Sequence, residues 1–222
     1  VMHVEELLEQ TMFDGSPLGW DIAGDAKRML SMTRKDVIAY RDQHYVPSRM
    51  VIGLAGKVDK QALALVKKTF GSVKAKHKPV AFEAFHGAKP GGAGSGLQAG
   101  NQALRCRIEN KKLEQIQLAL GFPSYGVADS RNSAVSLLAT ILGGTMSSRL
   151  FISVRERKGL SYHIRAENGA YDDVGAFMIR SGLDQARLRE AVKTILAEDE
   201  KIKKTGVTAR ELTEAKENFR GR

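Results

Sequence analysis

The sequence has 222 residues, of which 42% are hydrophobic and 27% charged, a composition that suits a soluble globular chain of one large or two small domains. No apolar run approaches the roughly 18 residues that a membrane-spanning helix needs, so we expect no membrane span. The single cysteine, Cys106, excludes an internal disulfide and a multi-cysteine metal site.

The net charge of +10 raises a basic nucleic-acid-binding module as one hypothesis, because lysine and arginine neutralise phosphates. The basic residues of "KVDKQALALVKKTFGSVKAKHKP" and "KIKK" have few aromatic residues between them, and no recognition motif accompanies them. A solvated helix face is therefore the favoured interpretation, and we expect no nucleic acid partner.

The first part of the chain is predicted to contain helices and one strand. Thr33 and Asp36 are typical of a helix start, and Pro47 marks the following break. The segment "MVIGLAG" is typical of a buried strand, and a helix is predicted over 59–70. The Gly-rich stretch over 87–100 is typical of a linker, which places the domain boundary there.

The second part alternates strands and helices. "QIQLALGF" predicts a half-buried strand, and a helix is predicted over 130–142, ending at two glycines. "SSRLFISVRERKG" predicts a helix that ends at Gly159, followed by two strands, "LSYHIRAENGAY" and "VGAFMIRSG". A long helix over 184–204 follows, and Thr208 with Glu211 forms a capping box for a last helix. We therefore predict two parts, over 1–86 and 101–222, and the helical patterns that open at Val1 and break off at Arg222 indicate a fragment.

Metal ligands are sparse in this sequence. None of the five histidines forms an H-E-x-x-H or an inverted H-x-x-E-H pair. His3 with Glu6 comes nearest, and this spacing is more typical of a surface helix pair than of zinc ligation. We predict that the chain binds no metal by itself and holds no catalytic residue.

Arg155 and Tyr162 form the candidate binding pair. A tight turn through Gly159 would bring a guanidinium and a phenol from the helix end and the next strand close together, where they suit a peptide carbonyl or an oxyanion. The alternative is structural. In it, the charge of Arg155 interacts favourably with the C-terminal end of the helix dipole, and Tyr162 is a core residue that shares a strand face with Ile164 and Ala166. The pattern alone leaves both interpretations open.

Several motifs together resemble a known family. "SPLGWDIAGDAKRMLSMTRKDVIAYRDQHYVPSRMVIGLAGKVD", "LLATILGGTMSSRLFISVRERKGLSY" and "ARELTEAKENF" are similar to motifs of the pitrilysin, insulin-degrading enzyme and mitochondrial processing peptidase family. The resemblance covers nearly the whole chain, and 147–162 is its most specific part. It implies a metallohydrolase fold of the processing-peptidase type, with an antiparallel-rich sheet, helices packed on it and two homologous halves.

The resemblance also implies a function. The complete enzyme would be a zinc-dependent metalloendopeptidase that cleaves peptides or unfolded polypeptides, with its zinc motif before Val1. The second half would hold the substrate through Arg155 and Tyr162, beside a homologous half or a partner subunit in a homo- or heterodimer. A non-catalytic partner or core-type subunit of the same family stays open, as do cytoplasmic, periplasmic and mitochondrial-matrix locations.

Overall fold

The structure is a computed structural model that describes residues 2–75, 77–78, 80–81 and 106–221. The chain divides into two compact units, one from Val1–Asp21 with Ala84–Arg222 and the other from Ile22–Glu83. The linker predicted over 87–100 lies outside the described residues, so the division into two homologous halves stays a prediction. None of the described helices is long and apolar enough to cross a membrane.

The larger unit contains a three-stranded antiparallel sheet in the order β1-β3-β2. Its strands are β1 over Ile116–Ser124, β2 over Ser161–Ala170 and β3 over Gly175–Leu183. The central strand pairs on both sides: Ile179 lies opposite Leu120 of β1 and opposite Ala166 of β2. These are the three strands that the sequence predicts for this part of the chain.

Helical segments connect and follow the strands. They are α5 over Asn132–Ala139, which continues as a π-helix over Thr140–Gly144, a second π-helix over Phe151–Glu156, α6 over Leu188–Thr205 and α7 over Ala209–Arg220. The predicted helices are therefore confirmed, although parts of two are wider than α-helices. Gly143 shows how closely the first π-helix lies on β2, because a Cβ there would stand 2.8 Å from Ala166 Cβ.

The main hydrophobic core lies between the sheet and these helices. Its members are at most 8% exposed and are Ala139, Leu142, Leu150, Val154, Leu160, Ile164, Ala166, Phe177, Ile179, Leu183, Ala191 and Ile195. The helix α6 packs against this core through Leu188, Ile195 and Ile202. Each fully buried leucine or isoleucine contributes about 1.5 to 3 kcal/mol, so the elements that carry the candidate site rest on a well-packed base.

A first helix, α1 over Met2–Met12, packs against β1. A Cβ at Gly121 would stand 2.9 Å from Leu8 Cδ1, so the glycine makes room for the helix side chains. Tyr171 donates a 2.7 Å hydrogen bond from its hydroxyl to Glu9 Oε1 in the same region. Burial, and then Glu9, raise the pKa of Tyr171 to about 12. Residues predicted to begin the first half thus contact the sheet of the second part.

The smaller unit contains α2 over Ala26–Ser31, α3 over Arg34–His44 and α4 over Lys60–Phe70. The helix start predicted at Thr33 and Asp36 is confirmed, and the two residues form a capping box in which each side chain bonds the other's backbone. The prediction of a buried strand for 50–56 is wrong, because this segment is irregular and Val51 is 97% exposed. A strand requires a hydrogen-bonding neighbour, and no described residue of this unit provides one.

Candidate functional site

Arg155 lies in the last turn of the π-helix over Phe151–Glu156. The helix is anchored by Leu150 and Val154, whose side chains are fully buried in the main core. Arg155 itself is exposed, and its guanidinium carbon lies 4.8 Å from the centre of the Phe151 ring. Such a cation–π contact holds a guanidinium over the face of the ring, and the N–H groups at its edge can still donate to another partner.

The turn after this helix depends on Gly159. Its φ of +55° lies in the left-handed region that favours glycine. Its amide donates to the Arg155 carbonyl at 3.0 Å, and the Leu160 amide donates to the Val154 carbonyl at 2.9 Å. Leu160 then enters the core at 1% exposure, which fixes the point where the chain turns into β2. The helix end predicted at Gly159 is confirmed.

The same turn is tied to the start of α6. Lys158 Nζ donates to Thr194 Oγ1 at 3.0 Å and lies 3.7 Å from Glu190 Oε1. Arg187 reaches Glu190 at 3.2 Å and the Gly159 carbonyl at 3.5 Å. Most of these contacts are exposed and individually weak, but together they fix the turn against a helix that is itself packed on the core.

Tyr162 occupies a β-bulge. Ser161 pairs with Leu183 and His163 pairs with Gly182, which is the next residue on β3, so Tyr162 has no partner across the ladder. The core interpretation of Tyr162 is wrong, since the residue is 65% exposed while Ile164 is 3% exposed. The bulge interrupts the strict alternation on which that interpretation rested, and it turns the phenol out of the core.

Arg155 thus lies at the end of the π-helix and Tyr162 at the beginning of β2, the next element along the chain, and both residues are exposed. Among the described residues, no hydrogen bond joins their side chains. Burial lowers the pKa of His163 below its ordinary value, and the positive charges of Arg155 and Arg165 lower it further. The positive charge of Arg155 therefore acts on His163, near the start of β2. The sequence alone did not single out His163 or Arg165, since no residue pattern announces the bulge.

No group of three or more His, Cys, Asp or Glu side chains within the described residues could hold a metal ion. His3 is engaged by two carboxylates, with Nε2 2.5 Å from Glu109 Oε2 and Nδ1 3.3 Å from Glu6 Oε2. Hydrogen bonding, first to Glu109 and then to Glu6, raises the pKa of His3. The described residues therefore do not fit zinc, and His3 forms the surface pair that the sequence suggests, extended by Glu109.

The fold and this site define an α+β domain that presents an arginine and a tyrosine beside a helix-to-strand turn and offers no metal ligand set in its described part. The family model described as the peptidase M16 inactive domain matches residues 31–219. The chain belongs to this peptidase family, and the resemblance stated from its motifs is confirmed.

Curated relatives agree with this assignment. The chain is 32% identical over 220 residues to the uncharacterized zinc protease YmxG of Bacillus subtilis (strain 168), a match that covers 98% of this chain and 50% of that protein. It is 29% identical over 219 residues to the uncharacterized zinc protease SCO5738 of Streptomyces coelicolor, covering 98% of this chain and 46% of that protein. The chain therefore spans about half the length of these relatives.

A solved structure carries the same fold. The peptidase M16 inactive domain from Pseudomonas fluorescens superimposes with a TM-score of 0.78 at 22% identity, over 98% of this chain and 50% of that one. The predicted fold class, helices packed on an antiparallel sheet in a metallohydrolase-type domain, is confirmed.

Proposed function

We propose that this chain is the non-metal-binding, substrate-holding part of a zinc-dependent metalloendopeptidase that cleaves peptides or unfolded polypeptides. The observation that carries the proposal is the position of Arg155 and Tyr162. They stand on either side of a turn whose backbone is fixed by the left-handed Gly159, and both side chains are exposed. The names of the curated relatives support the class of reaction, since both are called zinc proteases.

The two side chains suit an extended polypeptide. The guanidinium offers up to five N–H donors in a planar fork, and the phenol offers one O–H donor. A peptide carbonyl accepts such hydrogen bonds, and an oxygen that becomes negative during hydrolysis accepts them more strongly. Arg155 and Tyr162 would therefore orient the substrate backbone and stabilise charge that develops on it.

Zinc belongs to this proposal only through the complete enzyme. The described residues of this chain supply no ligand set, so the metal would be held by another part of the protein or by a homologous partner subunit. The chemistry that zinc supplies when bound is the activation of a water molecule. This chain would contribute the positioning of the polypeptide.

The experiment is hydrolysis of an unfolded polypeptide by the complete protein, measured before and after treatment with a strong chelator and after zinc is restored. The proposal predicts cleavage that the chelator abolishes and zinc recovers. A protein that stays inactive with zinc, alone and with a homologous catalytic subunit, would contradict the proposal. Activity that appears only with such a subunit would make this chain the substrate-holding partner, as the non-catalytic alternative requires.

A further inference from the structure

The bulge that exposes Tyr162 lies opposite a glycine. Gly182 is buried in the central strand and pairs with His163 on one side and with Gln117 on the other. The imidazole of His163 occupies the space that a side chain at this position would need. A Cβ at Gly182 would stand 2.6 Å from His163 Cε1, 2.7 Å from Gln115 Oε1 and 2.8 Å from His163 Nδ1, distances that real Cβ atoms do not tolerate.

A second contact fixes the backbone on the same side of the bulge. Ser181, which is 1% exposed, donates a 3.0 Å hydrogen bond from its hydroxyl to the carbonyl oxygen of His163. His163 is thus fixed by two contacts, one between its ring and Gly182 and one between its carbonyl oxygen and the Ser181 hydroxyl. Tyr162 has no cross-strand partner. The position of the His163 backbone and ring therefore sets the orientation of the Tyr162 side chain.

The imidazole ring of His163 serves to pack against its neighbours rather than to form hydrogen bonds through Nε2. Nε2 of His163 is buried and has no hydrogen-bond partner among the described residues. Its burial and the nearby charges of Arg155 and Arg165 favour the neutral imidazole, which is the form that loses least on being buried.

We propose that His163 and Gly182 are positioning residues that hold the bulge and thereby aim the phenol of Tyr162. The inference rests on the proposed substrate-holding role of Tyr162. Neither residue touches the substrate, and the contribution of both passes through the geometry of the bulge. A misplacement of a substrate-holding group by about 1 Å lowers turnover by up to about 100-fold, so a small disturbance at Gly182 is sufficient to be measured.

The first variant is Gly182→Ala in the complete protein, with peptide hydrolysis and thermal unfolding measured on the same samples. We expect kcat/KM to fall by about 10- to 100-fold, because the added methyl group displaces the His163 ring together with the Gln115 amide. Gly169→Ala is the matched control on β2. A Cβ at Gly169 meets Met178 Cε at 3.6 Å and Ala176 O at 3.7 Å, which are ordinary contacts, so its turnover should be unchanged.

The same substitution is then made in a Tyr162→Ala background. If Gly182 acts through Tyr162, Gly182→Ala causes no further loss of turnover once the phenol is absent. An equal loss in both backgrounds would show a general structural role and overturn the inference. His163→Ala provides a second variant should Gly182→Ala fail to fold, and it is expected to show the same loss with Tyr162 present and none without it.

The outcomes separate the inference from the function on which it rests. Full activity of Tyr162→Ala would contradict the proposed function, and the inference with it. Impaired Tyr162→Ala with normal kcat/KM in Gly182→Ala and His163→Ala would contradict the inference alone.

Discussion

Arg149 donates two hydrogen bonds to Glu211, from Nε to Oε1 at 2.6 Å and from Nη2 to Oε2 at 2.9 Å. Glu211 also accepts from the Thr208 amide at 2.8 Å, as the capping box of α7 requires. One carboxylate therefore closes the first turn of α7 and docks that helix on the segment that leads to Arg155.

We expect Glu211→Gln to lower the free energy of unfolding by about 1 to 2 kcal/mol at neutral pH, because a charged acceptor is replaced by a neutral one. Urea unfolding measures the change. The matched control is Glu214→Gln on the same helix, where the ion pair with Arg210 is largely exposed, so little change is expected. Equal effects of the two substitutions would contradict a special role for Glu211.

The Glu211 carboxylate also predicts a pH dependence. Hydrogen bonding to Arg149 is the main cause that lowers the pKa of Glu211 from 4.5 to about 2. A carboxylate with a lowered folded-state pKa stabilises the fold above its unfolded pKa and loses this contribution as the pH falls. The stability difference between the unmodified chain and Glu211→Gln should therefore shrink between pH 4.5 and about 2. A stability difference that stays constant across this pH range would contradict the lowered pKa of Glu211.

Asn168 of β2 joins two strands and a helix. Its Oδ1 accepts from Ser124 Oγ at 2.7 Å, and its Nδ2 donates to Asn132 Oδ1 at 2.7 Å and to Ser136 Oγ at 3.1 Å. Asn168→Leu would leave these groups without their partner, so we expect a loss of about 2 to 3 kcal/mol in urea unfolding. Exposed Asn218 is the control, and Asn218→Leu should change stability little.

The capping boxes at Thr33 and Thr208 could be predicted from sequence, because each depends on residues three positions apart. Strand 116–124 could also be predicted, from its alternation of apolar residues. The buried strand expected at 50–56 was wrong, because its pairing partner is a long-range property that local pattern cannot supply. The orientation of Tyr162 was left open for a related reason: the bulge arises from register with Leu183 and Gly182, about 20 residues away.

Gly143 tests the close packing of the first π-helix on β2. A Cβ there would stand 2.8 Å from Ala166 Cβ and 2.9 Å from the Arg165 carbonyl carbon, so Gly143→Ala should cost about 2 to 3 kcal/mol through overpacking. The neighbouring Gly144→Ala is the control, since its nearest contact is Thr140 Cβ at 3.3 Å. Thermal unfolding of both variants compares the two sites, and equal melting temperatures would contradict the packing.

The proposed function predicts different metal binding for this chain and for the complete protein. We expect zinc in the complete protein and none on this chain alone, because its described residues offer no ligand group. Elemental analysis after dialysis against a weak chelator measures both. One tightly held zinc ion per copy of the isolated chain would show that His3 or another histidine has been misjudged.

The most direct test of the substrate-holding role is the turnover of Arg155→Ala and Tyr162→Phe in the complete protein or its two-subunit assembly, with melting temperatures measured alongside. Each lost hydrogen bond to a developing oxyanion raises the barrier by about 2 to 4 kcal/mol, so turnover should fall by tens- to about a thousandfold. The melting temperatures should stay near that of the unmodified protein, because both side chains are exposed. Arg157→Ala, an exposed neighbour, is the control that should keep its activity. Full activity of Tyr162→Phe, together with an Arg155→Ala variant that is destabilised but not catalytically impaired, would contradict the account.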